Sequence, residues 1–276
     1  MSGYRVRPVP DDDGPPPGDL VHPAFDAPVA TEPTELLVIL STQRSGSTLL
    51  CERLRAAGHC IAHEYFHPHR YMPMLAERGG AVGPDRRMDW AAYARFLCRA
   101  RTAPSGVLGV NAHAKHLPHL MRALPHLPAR RRLVTLRREG LLAQALSLAE
   151  ARATGAWSSA FEARGAWAFD AEAAAAMLAE IQAQNAKIEA FAAASGWPRE
   201  AVTYEALTAD PPGVLARITG SPRGAFEGPA SALRRQADAA RRQDEVRRFA
   251  EHLLTAAPFG VDPDGLADVH APNTDP

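Results

Sequence analysis

"LLVILSTQRSGSTLLCERLRAAG", residues 36–58, opens with five apolar residues, breaks at a polar loop centred on Gly46, and resumes with Leu49, Leu50, Arg53 and Leu54 at helical spacing. So short an unbroken apolar run is the pattern of a strand buried on both faces by helices. Gly58 is well placed to end the helix that follows. The stretch reads strand, loop, helix. At such a junction the first backbone N–H groups of the helix lack helical partners and converge where the helix dipole favours negative charge. Gly46 lets the backbone approach an anion closely, Ser47 and Thr48 add hydroxyl donors, and Arg44 adds a permanent cation with a planar fork of N–H groups. Gln43, Arg44, Ser45, Gly46, Ser47 and Thr48 are thus candidate ligands of a phosphate or sulfate. Two other readings stand beside this one: a serine-capped helix start that binds nothing, and the loop of a nucleotide triphosphatase. The second needs lysine after the last glycine and a magnesium-holding carboxylate at the end of a neighbouring strand. Here Ser47 follows Gly46, and the later apolar runs lead into Asn111 and into Arg137 and Arg138.

Outward from the loop, short apolar runs recur at 107–110, 133–136 and about 202–204, separated by helix-like sequence. That order predicts an α/β fold with a central, mainly parallel sheet. Alanine-rich segments at 141–153, 171–194 and 232–254 supply additional covering helices. Residues 60–62 read as one more short strand that returns the chain to the loop side, so that Glu64 emerges at the carboxyl edge of the sheet, where doubly wound folds bind ligands. Residues 1–35, rich in proline, glycine and aspartate and without periodicity, read as a disordered or mobile arm.

A chain of 276 residues with 46% hydrophobic content can bury a full core as one large domain. Lysine plus arginine, 31, equals aspartate plus glutamate, 31, so no global field draws the chain to nucleic acid or to an acidic membrane. Cys51, Cys60 and Cys98 are too few and too irregularly spaced for a disulfide framework or a zinc site, and suit a reducing cytosol. The opening residues lack the apolar core of a signal peptide, and no later stretch is long enough to cross a bilayer. A cytoplasmic protein without membrane partners is expected. His63, His67 and His69 lie close together, and His113, His116 and His119 recur every third residue, but neither set carries the acidic partners that identify a metal site, so no metal is expected. His63 and His113 remain candidates for binding a hydroxyl-rich substrate or moving its proton.

"QRSGSTLL" (43–50) resembles the 5'-phosphosulfate loop of sulfotransferases that use 3'-phosphoadenosine 5'-phosphosulfate, in particular the bacterial carbohydrate group of trehalose, lipopolysaccharide and Nod-factor sulfotransferases. Arg44 stands where other sulfotransferases commonly have a loop lysine. "AHEYF" (62–66), "RREGLLAQALS" (137–147), "VTYEALTADP" (202–211) and "RRQAD" (234–238) are similar to segments of that family and occur in its order. The resemblance implies a P-loop-type three-layer fold, a sulfotransferase domain over 36–260 with a tail at 261–276, and metal-free sulfuryl transfer to a small-molecule hydroxyl acceptor, a saccharide or similar polar metabolite. A homodimer is left open.

The resemblance also implies roles. Glu64 would be the general base and Arg44 would act with the loop on the transferring group. Arg138, or Arg137 in its place, and Ser147 would bind the 3'-phosphate, with Gln144 a further contact, Tyr204 near the nucleotide, and Arg235 in a segment closing over it. His63, Tyr65, Phe66, Asn111 and His113 are the expected acceptor-side residues. Asn111 departs from the family, which commonly has lysine there; Lys115 is a candidate to compensate, and the alternative is a module that binds the donor without turnover. A phosphotransferase using a nucleoside triphosphate is the third reading, carried by the loop alone. The residues before Glu64 differ from the proline-containing form of the trehalose enzyme, so a different acceptor pocket is expected.

Overall fold

Strand β1 (Glu35–Ser41) is buried along its whole length, and the alternation of its side chains divides the molecule. Leu36, Val38 and Leu40 enter one core with residues of α2 (Tyr71–Arg78), α3 (Trp90–Arg101), α4 (Leu117–Ala123) and α6 (Ala171–Ser195). Leu37 and Ile39 enter the other with α1 (Ser47–Ala56), α7 (Tyr204–Ala209) and α8 (Pro211–Thr219). This computed structural model describes residues 4–8, 21–157, 164–226 and 239–255. With β2 (Val107–Ala112), β3 (Arg131–Arg137) and β4 (Arg199–Thr203), β1 forms a four-stranded sheet of order β2-β1-β3-β4 in which every pair is parallel. Helices cover both faces, as an all-parallel sheet requires. The fold is the α/β, P-loop-type three-layer architecture expected. A third apolar cluster joins α5 (Leu141–Thr154), α6 and α9 (Ala239–Thr255).

Two expectations need correction. Residues 60–62 are not a sheet strand: the chain is linked to β2 by an isolated bridge between His63 and Val110. Cys60 and Ala62 lie over Gly109, where an added Cβ would come within 2.7 Å of the Cys60 sulfur and 2.9 Å of the Ala62 Cβ. They cross the face of β2, a close approach that glycine permits. The mobile arm expected over 1–35 does not fit its described residues. Val6, 2% exposed, and Val21 are core residues, and Arg5 bridges Arg87 in antiparallel fashion. The fully buried Arg101 donates to the carbonyls of Val21 and Phe25, each at 3.1 Å, and pairs with Asp26 at 2.9 Å. A few apolar anchors and one buried cation tie down a segment whose composition alone predicts none. Residues 232–238 and the expected tail at 261–276 lie outside the described residues.

Candidate active site at the carboxyl edge of the sheet

The loop from Thr42 to Gly46 makes its turn with two left-handed residues, Arg44 at φ 63° and Gly46 at φ 93°. For a non-glycine residue this conformation costs about 1–2 kcal/mol. Buried hydrogen bonds hold it in place. Ser45 Oγ donates to the Thr42 carbonyl at 2.7 Å, and Gln144 Nε2 donates to Thr42 Oγ1 at 2.8 Å and to the Gln43 carbonyl at 2.7 Å. Gln184 Nε2 donates to Gln43 Oε1 at 3.2 Å. A Cβ on Gly46 would lie 2.5 Å from Cδ2 of Tyr204, so the ring packs directly on the loop backbone. Gly46 is the residue before the first turn of α1 and, having no side chain, makes no capping bond to it. The first amides of α1 lack helical partners, as at any helix start, and so suit an anion.

On the β3 side of the loop the site is cationic. Arg44 Nε donates to Ser147 Oγ at 2.9 Å and its Nη1 to the carbonyl of Trp157. Arg138, just past β3, stacks over the Tyr204 ring at 5.0 Å. Burial, and then the positive charge of Arg138, push the pKa of Arg44 down to about 10, against an opposite pull from Glu150. Arg242 of α9 belongs to the same group, paired with Glu150 and, at 3.0 Å, with Glu245. With Arg241, which also pairs with Glu150 and Glu245, four guanidinium groups stand against two carboxylates and leave an excess of positive charge suited to an anion. The amino end of α5 is closed internally, because the Glu205 carboxylate accepts from the amides of Glu139 at 3.1 Å and Gly140 at 3.4 Å.

On the β2 side stands a carboxylate among imidazoles. His113 follows β2, and its Nδ1 lies 2.8 Å from the Ser41 carbonyl, the last residue of β1 before the loop. A carbonyl only accepts, so Nδ1 donates. The other ring nitrogen, Nε2, faces Glu64 Oε1 at 3.2 Å, and a proton must sit between them: carboxylate with imidazolium, or acid with imidazole. Burial favours a neutral Glu64, but His113, His116 and His67 outweigh it and hold the carboxyl well below the usual range. His116 Nδ1 accepts from the backbone N–H of His113 at 3.2 Å, which leaves the ring proton of neutral His116 on Nε2, 3.9 Å from Glu64 Oε2. Burial pushes His116 far below its usual range and His67 down to about 4.

The structure thus gathers most of the expected residues at this edge. Arg44, expected to act with the loop on the transferring group, points to Ser147 and Trp157. Gln144 is fully buried and braces the loop, so it is not a free contact for a ligand, and the Ser45 hydroxyl is committed inside the loop. Tyr65 and Phe66, expected on the acceptor side, are fully buried core residues; the Tyr65 hydroxyl donates to the Ile61 carbonyl, and Tyr93 donates to the Tyr65 carbonyl at 2.5 Å. Asn111 is 3% exposed, and its Oδ1 has no hydrogen-bond partner among the described residues. His63 stacks near Tyr71, ring centres 4.4 Å apart. Arg235 lies outside the described residues. Sequence reasoning missed His67, His116, Gln184 and Arg242. The two histidine sets, read as lacking an acidic partner, do have one: ligand atoms of Glu64, His67 and His116 lie within 4.8 Å of one another, close enough by residue type to hold a metal ion.

Among the described residues no helix is long and apolar enough to cross a membrane. No curated protein matches the chain in sequence. Among solved structures the chain is similar to retinol dehydratase in a complex with retinol and PAP, at 16% identity and TM-score 0.35, over 82% of this chain but only 66% of that one. It is also similar to the sulfotransferase domain of the olefin synthase from Synechococcus PCC 7002, at 16% identity and TM-score 0.40, over 81% of this chain and 96% of that one. The family comparison is the decisive one: residues 37–252, from within β1 to within α9, match the family model Stf0 sulphotransferase. That match covers far more than half of the chain, which therefore belongs to the Stf0 sulphotransferase family.

Proposed function

We propose that this protein moves a sulfuryl group from 3'-phosphoadenosine 5'-phosphosulfate to a hydroxyl of a carbohydrate or similar polar small molecule, without a metal. The observation that carries this reading is the hydrogen-bonded line from Glu64 through His113 to the Ser41 carbonyl, which joins a proton acceptor to the strand end from which the anion loop springs. The first amides of α1 with Ser47 and Thr48 would hold the phosphosulfate. Arg44, Arg138 and Ser147, beside Tyr204, would hold the 3'-phosphate, with Arg242 adding charge. In the transfer, a bond forms between the acceptor oxygen and sulfur, the bond from sulfur to the phosphate oxygen breaks, and the hydroxyl proton passes to Glu64. The Glu64–His113 pair is neutral before that proton arrives and positive after it. Its charge then offsets the negative sulfuryl oxygens at the moment of transfer.

The tautomer of His116 supports the metal-free form. With Nδ1 accepting a backbone N–H, Nε2 carries the ring proton and has no lone pair to offer an ion. A second reading, donor binding without turnover, is favoured by Asn111, a buried neutral amide where the family commonly has lysine; the exposed Lys115 is close enough to depress both His67 and His116. The test is transfer of labelled sulfate from the donor to a panel of sugars and polar alcohols, with and without EDTA. Metal-independent transfer is the expected result. Donor binding with no transfer to any acceptor would favour the second reading, and loss of transfer on chelation would end the metal-free one.

A further inference from the structure

We infer that Tyr4, in the segment ahead of the family domain, is a positioning residue for the proton-accepting cluster: it pins together the two loops that carry Glu64 with His67 and His113 with His116. Its hydroxyl donates to the Pro68 carbonyl at 3.2 Å, one residue after His67. Its ring meets His119 edge-on at 4.8 Å, three residues after His116, and Trp90 at 5.9 Å. Within each loop the backbone is already shaped by its own bonds, such as His67 N to the Glu64 carbonyl at 2.9 Å and His116 N to the His113 carbonyl at 2.8 Å. Those bonds fix each loop internally. The His63–Val110 bridge and the bond from Asn111 N to the His63 carbonyl at 2.9 Å join the loops at their start, beside the 3.2 Å contact between Glu64 and His113. Toward their far ends His67 and His116 meet with ring centres 5.1 Å apart. Tyr4 spans the gap there, from outside.

Tyr4 is itself firmly seated. Met88 N donates to the Tyr4 carbonyl at 3.0 Å, Val6 N donates to the Arg86 carbonyl at 2.8 Å, and the buried Val6 side chain anchors this short antiparallel pair. Burial raises the pKa of the phenol, so it stays a donor through the neutral range. A tether built of backbone bonds, with one aromatic residue reaching both loops, is how a remote segment holds reacting groups at a fixed separation, and a misplacement of about 1 Å can cost a hundredfold in rate.

This inference rests on the proton-accepting role proposed for Glu64, and the experiment separates the two. Tyr4→Phe removes only the hydroxyl and Tyr4→Ala removes the ring, each in the full chain. Three quantities are measured: kcat/KM for the acceptor, calorimetric affinity for adenosine 3',5'-bisphosphate, and the downfield resonance of the proton held between His113 Nε2 and Glu64. The expected result is a fall in kcat/KM of about two- to tenfold for Tyr4→Phe and about tenfold or more for Tyr4→Ala. The resonance should shift or broaden, with nucleotide affinity unchanged. Unchanged transfer and resonance with only a lower Tm would reduce Tyr4 to a staple of the fold. A parallel loss of nucleotide affinity would also overturn the inference. If Tyr4→Ala does not fold, Tyr4→Phe decides alone. If the native protein transfers no sulfuryl group, the catalytic reading fails, and the resonance still reports whether Tyr4 places the cluster.

Discussion

The two flanks of the loop after β1 carry different chemical groups on the same scaffold. On the β3 flank, the guanidinium groups of Arg44, Arg138 and Arg242 lie with the hydroxyls of Ser147 and Tyr204, groups suited to an anion, and the Glu150 carboxylate offsets part of their charge. On the β2 flank, Glu64 sits among the imidazoles of His67, His113 and His116, the group types suited to proton transfer. The strand order explains the split: β1 lies between β2 and β3, so the chain leaves β2 into His113 on one side of the loop and leaves β3 into Arg138 on the other. A ligand bound at such a sheet edge meets both. The lesson is that the proposed donor binding and proton removal rest on separate groups, and substitutions should reveal them as such.

The largest effect should come from the β2 flank. Glu64→Gln keeps shape and removes the proton acceptor, so turnover should fall roughly a hundredfold or more while donor affinity holds. Near-native turnover with the true acceptor would shift the role to His113. Next is the β3 flank. Arg44→Ala removes charge-assisted bonds worth about 1.5–3 kcal/mol, so affinity for adenosine 3',5'-bisphosphate should drop roughly tenfold or more. The same site should make that nucleotide raise Tm more than ADP does, since ADP lacks a 3'-phosphate for Arg138 and Ser147 to hold. Equal shifts would remove the nucleotide reading of this flank. If either variant damaged both functions equally, the flanks would not be independent.

The fold was legible because residues 36–58 carry it locally: a contiguous apolar strand, a glycine loop and a helix with a plain end. The position of a candidate residue was legible where it directly follows a strand, as His113 and Arg138 do; Glu64 reaches the same edge although residues 60–62 form no strand. The site was not legible where tertiary packing chose the partners. His67 and His116 look like members of two surface clusters and meet only because residues 63–70 fold against the turn after β2. Tyr65 and Phe66, aromatic and next to Glu64, suggest a substrate wall, but the turn just past the His63 bridge places both in the core with Tyr93. Gln144 has the spacing of a ligand contact, and only the left-handed Arg44 and Gly46 show why the loop needs it as a brace.

That brace and the Tyr204 ring bring a smaller effect. Gly46→Ala should cost about 1–2 kcal/mol for the left-handed backbone, and more for moving Tyr204, which an added Cβ would touch at 2.5 Å. Because Tyr204 carries Arg138 on its face, nucleotide affinity should fall with stability while the Glu64–His113 resonance stays in place. A change in that resonance would show that the loop transmits strain from one flank to the other.

The smallest expected effect uses pH, which reads one flank alone. Burial depresses the His67 pKa to about 4; Glu64 pulls the other way, and Lys115, His113 and His69 add to the depression. In the unfolded chain a histidine titrates near 6.5. The unfolded state therefore binds more protons in the interval between those values, and stability falls as the pH is lowered across it. The penalty is absent above about pH 6.5, grows on acidification, and levels off below about pH 4. Glu64, held below the ordinary carboxylate range, loses its contribution as pH falls through that depressed pKa, below this window. Arg44, even lowered to about 10, does not titrate there, so the β3 flank is silent. Tm of the native protein should decline from pH 6.5 to 4, and His67→Gln, which cannot take up the proton, should decline less steeply. Parallel curves for the two proteins would mean that His67 is solvated like a surface residue, and the proton-handling flank would shrink to Glu64, His113 and His116.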